Sequence, residues 1–215
     1  MTTRGRPRSF DRGKALARAM ELFWAKGFDG TSLADLTGGL GINPPSLYAA
    51  FGSKEALFLE AVALYGETEG SYIWKQLDAP TAREAVERFL RASAIAFSRR
   101  GKPRGCLVIL GALHPSESNR EICRRLREFR AQNKVVLEDR LRRAVAEGEL
   151  PEDADCSAMS SFILAVQMGM SIQARDGASR DELILTAEWA TRNWFIPKVD
   201  NVASDFARQV AAKRH

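Results

Sequence analysis

Hydrophobic residues recur at helical spacing along almost the whole chain, and no segment alternates long enough to predict a β-strand. Glycine, proline and capping residues separate these amphipathic stretches from one another. The pattern therefore predicts an all-α protein of about nine helices. The predicted helices cover approximately 11–26, 33–40, 44–51, 53–77, 81–100, 106–113, 116–147, 155–174 and 179–196.

The stretch TSLADLTGGLGINPPSLYAAFGSK, residues 31–54, carries the most specific local pattern. A hydroxyl residue can cap its first helix, and Gly41 then suits a turn that needs positive φ. Asn43 can cap the second helix, and Pro44 lies in its first turn, where no amide hydrogen is required. Two helices joined by a short glycine turn predict a helix-turn-helix, whose second helix enters the DNA major groove. The alternative is an αα-corner with no contact to DNA.

Several separated segments resemble the TetR/AcrR family of bacterial transcription regulators. They are FDRGKALARAMELFWAKGF at 10–28, TSLADL at 31–36 and GINPPSLYAAFGSKEALF at 41–58. The match is close over about the first 65 residues. Farther on, RGCL at 104–107 and GMSIQARDGASRDEL at 169–183 resemble one branch of the family.

This resemblance implies two domains. We expect a three-helix helix-turn-helix DNA-binding domain with a basic N-terminal arm at residues 1–52, and a larger helical domain for effector binding and dimerisation at 53–215. The implied function is a ligand-responsive regulator, most commonly a repressor. Such a protein binds a palindromic operator as a homodimer and is released by a small molecule. A DNA-binding repressor or architectural protein without an effector is the alternative.

The positive charge is concentrated at the N-terminus. The formal net charge of the chain is +5, and residues 1–18 alone carry six cations against one carboxylate. A basic arm before a helix-turn-helix is suited to contact phosphates or the minor groove. The alternative is a solvated tail.

The predicted recognition helix has no arginine or lysine. Its proline and alanine side chains suit contact with thymine methyl groups better than bidentate recognition of guanine. The resemblance places Tyr48 and Lys54 on phosphates. The candidate DNA-binding residues are Arg4, Arg6, Arg8, Thr31, Ser32, Asn43, Pro44, Ser46, Tyr48 and Lys54.

The C-terminal helices carry the candidates for dimerisation and effector binding. One recognition helix buries too little surface for specific binding, so two are expected about one turn of DNA apart. The candidate dimer residues, which could instead face their own core, are Phe162, Val166, Met170, Leu185, Trp189 and Phe195. The candidate pocket residues, each of which could also be core, are Tyr72, Trp74, Phe89, Phe97, Cys106, Leu110, His114, Phe162, Gln167 and Met168.

Cys106 suggests a second way of sensing. We expect a place at the start of a short helix to lower its thiol pKa, which would favour a redox or electrophile sensor; packing is the alternative. Three cysteines and no export signal predict reduced thiols and a cytoplasmic location. No apolar run reaches membrane-spanning length. No catalytic or metal-binding motif is present, so neither an enzyme nor a cofactor is expected.

Overall fold

The computed structural model describes residues 11–192, and within that range it is all-α, as predicted. The α-helices are α1 (Arg12–Lys26), α2 (Leu33–Leu40), α3 (Pro44–Phe51), α4 (Lys54–Tyr65), α5 (Ser71–Trp74), α6 (Ala82–Phe97), α7 (Leu107–Leu110), α8 (Arg120–Ala146), α9 (Cys156–Arg175) and α10 (Arg180–Arg192). A π-helical turn spans Gly66–Gly70, and a 3₁₀ turn spans Lys75–Asp78.

The first four helices begin at side-chain caps that the sequence encodes locally. Asp11, Ser32, Asn43 and Ser53 each accept a hydrogen bond from a backbone amide in the first turn of the helix that follows. Each cap satisfies one of the amides that a helix start leaves without a partner. The boundaries of α1 to α4 therefore follow from short-range interactions.

Residues 54–78 form one nearly continuous rod made of α4, the π turn, α5 and the 3₁₀ turn. The sequence predicted a single helix to about residue 77, weakened by Gly66 and Gly70. In the structure those two glycines bound the π turn. Counted as one element, the rod gives nine helices in the described part of the chain, which is the predicted number.

The buried side chains form two clusters. One joins α1, α2 and α3 to α4, α7 and the start of α8, with Phe58 fully buried among Phe23 and Phe28. The other fills the space between the rod, α6, the end of α8, α9 and α10. The first cluster does not stop at residue 52, because α4 packs against both sides. We call α1 to α4 the head and α5 to α10 the body.

α6 is the central helix of the body. It packs against α9, α10 and the 3₁₀ turn. The buried Arg140 of α8 donates to the carbonyl of Leu77 in that turn and to the carbonyl of Ala79, which follows it. None of the helices in the described range has the length and apolar character needed to cross a membrane.

Candidate nucleic-acid interface and cavity

The turn between α2 and α3 has the geometry that the sequence predicted. Gly41 has φ of 67° and ends α2 in the left-handed region, where a side chain would be strained. The side-chain oxygen of Asn43 accepts the Ser46 amide at 2.9 Å, which starts α3. The orientation of α3 is therefore set by a capped turn.

α3 presents one face to solvent and buries the other. Leu47 is fully buried and Phe51 nearly so, and they hold the helix on the head. Pro44 and Ser46 are exposed, and the Tyr48 ring is 46% exposed. The exposed face is thus small, uncharged and mixed apolar and polar. Asn43, although exposed, uses its carbonyl oxygen for the cap.

The cations of α1 are all engaged in ion pairs, so they add little free positive charge to the head. The N–O distances are 2.7 Å for Arg12–Glu60, 3.4 Å for Lys14–Asp11, 3.2 Å for Arg18–Glu21 and 2.5 Å for Lys26–Asp35. Arg4, Arg6 and Arg8 lie outside the described residues.

The start of α2 is more strongly internally bonded than predicted. Ser32 and Asp35 form a capping box, and Lys26 and Ser32 hold the Asp35 pKa well below its ordinary value. Thr31 is fully buried and its hydroxyl donates to the Gly27 carbonyl at 2.6 Å. The expected phosphate contact of the Thr31 hydroxyl is therefore wrong, because that hydroxyl is inside the head. Ser32 remains at the surface.

Lys54 begins α4 and is half-buried. Its ammonium lies 4.2 Å from the centroid of the Phe28 ring, a cation–π contact that keeps the side chain close to the head. Because it lies in the first turn of α4, nearby amides add positive character. The position allows a phosphate contact, which stays a prediction.

α9 and α10 expose large apolar side chains to solvent. Phe162, Leu185 and Trp189 are 56%, 54% and 63% exposed, and Ile172 on α9 is 47% exposed. Met170 is fully buried within its own core, so its predicted place in a dimer interface is wrong. Val166 is half-buried against the same core. Phe195 lies outside the described residues.

A cavity of about 340 Å³ lies between the rod, α6, α7, α8 and α9. Four predicted pocket residues line it: Trp74, Phe97, Cys106 and Gln167. The sequence analysis missed the other lining residues, which are Val62, Ala63, Tyr65, Gly66, Glu67, Gly70, Ile73, Val108, Ile109, Phe129 and Asn133. The only sequence signal for this part of the wall is the pair of glycines that bound the π turn, Gly66 and Gly70.

The remaining predicted pocket residues do not line the cavity. Phe89 is fully buried against Trp74, and Leu110 and Met168 pack on the body core. Tyr72 and Phe162 are more than half exposed, and His114 is exposed. Helical spacing did not separate these positions from true lining residues, because both kinds carry large side chains on the same helices.

Cys106 lies at the cavity wall but does not have the expected acidity. The α7 helix begins only at Leu107 and is four residues long, so it adds little helix dipole. Burial raises the Cys106 thiol pKa, and the Tyr65 hydroxyl and nearby backbone amides offset part of that rise. The prediction of a lowered pKa is therefore wrong.

The head is tied to the body by a hydrogen-bonded junction that the sequence analysis did not foresee. Arg175, at the end of α9, donates to the carbonyls of Trp24 at 2.8 Å and Ala25 at 2.7 Å. It also donates to the Arg104 carbonyl at 3.0 Å, and the Trp24 indole donates to the Gly105 carbonyl at 2.8 Å. The two segments RGCL and GMSIQARDGASRDEL thus meet at the end of α1.

Gly105 is required at this junction. Its φ is 78°, and a Cβ atom there would lie 2.7 Å from the Ser171 carbonyl oxygen. The next amide, that of Cys106, donates to the Ser171 hydroxyl at 2.9 Å. The loop that carries the cavity cysteine is therefore fixed to α9 on one side and to the head on the other.

Comparison with known proteins assigns the fold and the family of this chain. The sequence model of the bacterial regulatory proteins of the tetR family matches residues 15–61, and that of a tetracyclin repressor-like C-terminal domain matches 82–183. The HTH-type transcriptional repressor ComR of Escherichia coli (strain K12) is 34% identical over 194 residues, covering 89% of this chain and 92% of ComR. This chain belongs to the TetR family of transcriptional regulators. It is a DNA-binding regulator and not an enzyme.

Other members agree with this assignment. The repressor BdcR of the same organism is 37% identical over 188 residues, covering 86% of this chain and 90% of BdcR. A cysteine mutant of the TetR-family regulator CifR, solved with a 26-bp double-stranded operator DNA, is 44% identical with a TM-score of 0.84. That alignment covers 88% of this chain and 100% of CifR. The family resemblance seen in the sequence is confirmed.

Proposed function

We propose that this TetR-family member is a homodimeric repressor that binds a palindromic operator and is released by a small-molecule effector. The observation that carries the DNA-binding part is the exposed, uncharged face of the capped helix α3, held in place by Leu47 and Phe51. The CifR mutant, similar over its whole length, was solved on operator DNA. Tyr48, Ser46 and Pro44 form the proposed base- and phosphate-contacting face.

Phosphate affinity should come from groups beside α3. Since α3 has no cation and those of α1 are paired within the head, Lys54 and the arm residues Arg4, Arg6 and Arg8 are the proposed phosphate contacts. Such contacts add affinity without sequence preference. Ser32 is a further surface candidate at the start of α2.

The dimer is proposed to form through the exposed face of α9 and α10. A monomer that leaves Trp189, Phe162 and Leu185 more than half exposed has an apolar patch that a second copy can cover. Aromatic side chains of this kind are typical centres of interfaces. A symmetric pairing would place two heads on one side of the dimer, as a palindrome requires.

The effector response is proposed to start in the cavity and reach the head through the junction. Cys106 lines the cavity, and the carbonyl of its neighbour Gly105 accepts a hydrogen bond from the Trp24 indole. Arg175 joins α9 to the end of α1 through its hydrogen bond to the Trp24 carbonyl. A ligand that displaces the 104–106 loop would therefore strain direct hydrogen bonds to the head. Differential affinity for the two head positions would supply the release.

The test of DNA binding measures the affinity for duplexes from the region upstream of its own gene by fluorescence anisotropy. Tyr48→Ala and Lys54→Ala should weaken binding to specific and non-specific duplexes alike. The control is Tyr72→Ala, since the Tyr72 ring is 59% exposed on the body. Wild-type affinity in either head variant would remove that residue from the proposed site. Loss of affinity in the control would reject the assignment to α3.

The cavity thiol supports a second candidate function, a sensor of oxidants or electrophiles that reacts at Cys106. Its place in the wall gives a small reactive ligand access to the sulfur. The raised pKa makes it a slow nucleophile at neutral pH. Its alkylation by iodoacetamide should therefore be slower than that of a free thiol at pH 7.5 and should increase as pH rises above the ordinary thiol range.

The sensor function is tested by release from DNA. If the function is correct, oxidant or electrophile releases the wild-type protein from its operator, and Cys106→Ser stays bound. Cys123→Ser, which removes a buried thiol of the head cluster, is the matched control and should still be released. Release that persists in Cys106→Ser would reject the thiol sensor. A protein that nothing releases would favour the effector-independent repressor.

A further inference from the structure

One buried polar side chain lies in the mainly apolar wall of the cavity. Gln167 of α9 is only 6% exposed and lines the cavity beside Phe97 and Ile109. Burial of an amide in an apolar wall is unfavourable unless its hydrogen bonds are made. The orientation of this amide therefore shows which hydrogen bond the cavity offers to a ligand.

A chain of hydrogen bonds orients the amide. The Ser93 hydroxyl donates its single proton to the Phe89 carbonyl oxygen at 2.9 Å. The same hydroxyl can then only accept from Gln167, whose Nε2 lies 3.0 Å away. In this arrangement the Gln167 amide nitrogen is engaged by Ser93. The carbonyl oxygen of Gln167 takes no part in this chain of hydrogen bonds.

The Gln167 carbonyl oxygen has no donor within residues 11–192. The one fully enclosed side-chain polar atom without a partner in that range is Nη1 of Arg140, so the Gln167 oxygen retains accessible surface. The residue lines the cavity and is otherwise buried, which makes the cavity the place where this oxygen can meet a ligand. The interior thus presents an unused acceptor.

The other polar groups of the cavity do not take this role. Glu67 is exposed and Asn133 half-exposed, so water reaches both at the mouth. Cys106 and Tyr65 are neighbours of each other in the wall. None of the lining residues in the described range 11–192 is cationic, and the nearby Arg130 donates to the Val108 carbonyl at 2.9 Å. An anionic ligand would therefore find no counter-charge in the cavity, and Glu67 would repel it.

We propose that the Gln167 carbonyl oxygen accepts a hydrogen bond from the effector, and that the effector is a small, uncharged, mainly apolar molecule bearing a hydroxyl or N–H donor. This inference rests on the proposed effector response of the cavity. The volume of about 340 Å³ is near the lower end for ligand sites, which span roughly 300–1,000 Å³. Trp74, Phe97 and Phe129 suit an aromatic or compact aliphatic body.

A ligand without a donor should be discriminated against. It would fill the cavity but leave the Gln167 oxygen dry and unpaired, and sites built to hydrogen-bond a ligand reject analogues that lack the group. We expect at least about a tenfold weaker binding for such an analogue. This difference is the measurable signature of the proposal.

The experiment uses matched pairs of neutral aromatic alcohols and their methyl ethers, beginning with benzyl alcohol and 2-phenylethanol. Dissociation constants come from NMR titration of the full chain. Each alcohol should bind wild type at least about tenfold tighter than its ether. Gln167→Met keeps the side-chain length without the acceptor and should reduce the preference to less than about twofold. Gln173→Met, at an exposed position on the same helix, should retain it.

Ser93→Ala provides a second test if Gln167→Met fails to fold. Without its anchor the amide can rotate, so the preference for the alcohol should fall. Equal binding of alcohol and ether by wild type, or a preference that survives in both variants, would overturn the assignment. So would the absence of binding by every pair.

Operator affinity, measured in parallel by anisotropy, separates this inference from the proposed function. Probes that bind with the expected preference but leave operator affinity unchanged would contradict the effector response alone. Probes that release the protein without preferring the alcohol would contradict the role of Gln167 alone.

Discussion

The head and the body of this protein are stabilised by interactions of different range. Each of the four helices of the head begins directly after a cap residue, whose side chain accepts a hydrogen bond from the amide three residues further along the chain. The core of the head centres on the aromatic contacts of Phe58. The cavity lies between the body and the end of α4, and its wall is drawn from five elements: the rod, α6, α7, α8 and α9. The head therefore presents a surface of fixed shape, whereas the cavity offers a space that a ligand can occupy.

The difference has a consequence for coupling. A rigid head can respond to a ligand only if something in the body moves it, and the junction of Trp24, Gly105 and Arg175 provides direct hydrogen bonds between the two beside the cavity. The Phe28 amide also donates to the Gly111 carbonyl at 2.8 Å, and the Asn119 amide donates to the Asp29 carboxylate at 2.6 Å. The head core also continues into α7 and α8. Head and body should thus unfold together although they are built differently.

The largest expected effect is on this shared core. Phe58→Ala should lower the free energy of unfolding by about 3–5 kcal/mol, because a fully buried ring that contacts Phe23 and Phe28 is lost. Chemical denaturation should show a single transition shifted as a whole. The matched control is Phe97→Ala, which should cost less because that ring already borders the cavity. An equal or greater loss in Phe97→Ala, or two separate transitions, would contradict the shared core.

The second largest effect is expected on operator affinity when the arginines of the N-terminal arm are removed. Replacement of Arg4, Arg6 and Arg8 by alanine should reduce operator affinity at least about 100-fold near 0.15 M salt, since each phosphate contact contributes roughly fivefold there. The slope of log K against log salt should fall by about 0.9 per lost contact. Anisotropy titrations at several salt concentrations measure both.

The control for the arm removes the same charge from the body. Arg83, Arg88 and Arg142 each pair with a glutamate on their own helix, at 2.9, 2.5 and 2.6 Å. Their joint replacement by alanine should leave the salt slope unchanged. If both triple variants changed the slope equally, net charge rather than contact by the arm would explain the effect.

A smaller effect is expected at the exposed face of the body. Trp189→Ala combined with Leu185→Ala should weaken dimerisation by about 2 kcal/mol, or some 30-fold, because interface aromatics carry much of the binding energy. Sedimentation equilibrium would measure the change. Tyr72→Ala, an exposed aromatic elsewhere on the body, should leave the dimer intact. A dimer unaffected by the double variant would place the interface on another surface.

The smallest expected effect is local to α3. Asn43→Ala removes the cap and should cost about 1 kcal/mol of stability, whereas Asn43→Asp keeps a cap of equal quality. The aspartate variant should nevertheless bind the operator more weakly, since its carboxylate would face phosphates. Thermal unfolding and anisotropy separate the two readouts. Wild-type operator affinity in Asn43→Asp would place this end of α3 away from DNA.

The sequence alone determined the head and the helical architecture. Capping residues, the glycine turn and the stripe of buried leucines act over a few residues, so they can be read without knowing the fold. The predicted helix boundaries agree closely for α1 to α3, whereas the π turn between Gly66 and Gly70 was predicted only as a weak point.

Only the tertiary structure decided which side chains line the cavity, which pack in the core and which remain exposed. Gln167 and Phe97 line the cavity while Met168 and Phe89 do not, although their sequence patterns are alike. The same holds for the Cys106 pKa, which depends on burial by elements distant in sequence. Helical spacing specifies the face of a helix, but the partner of that face is set by long-range packing.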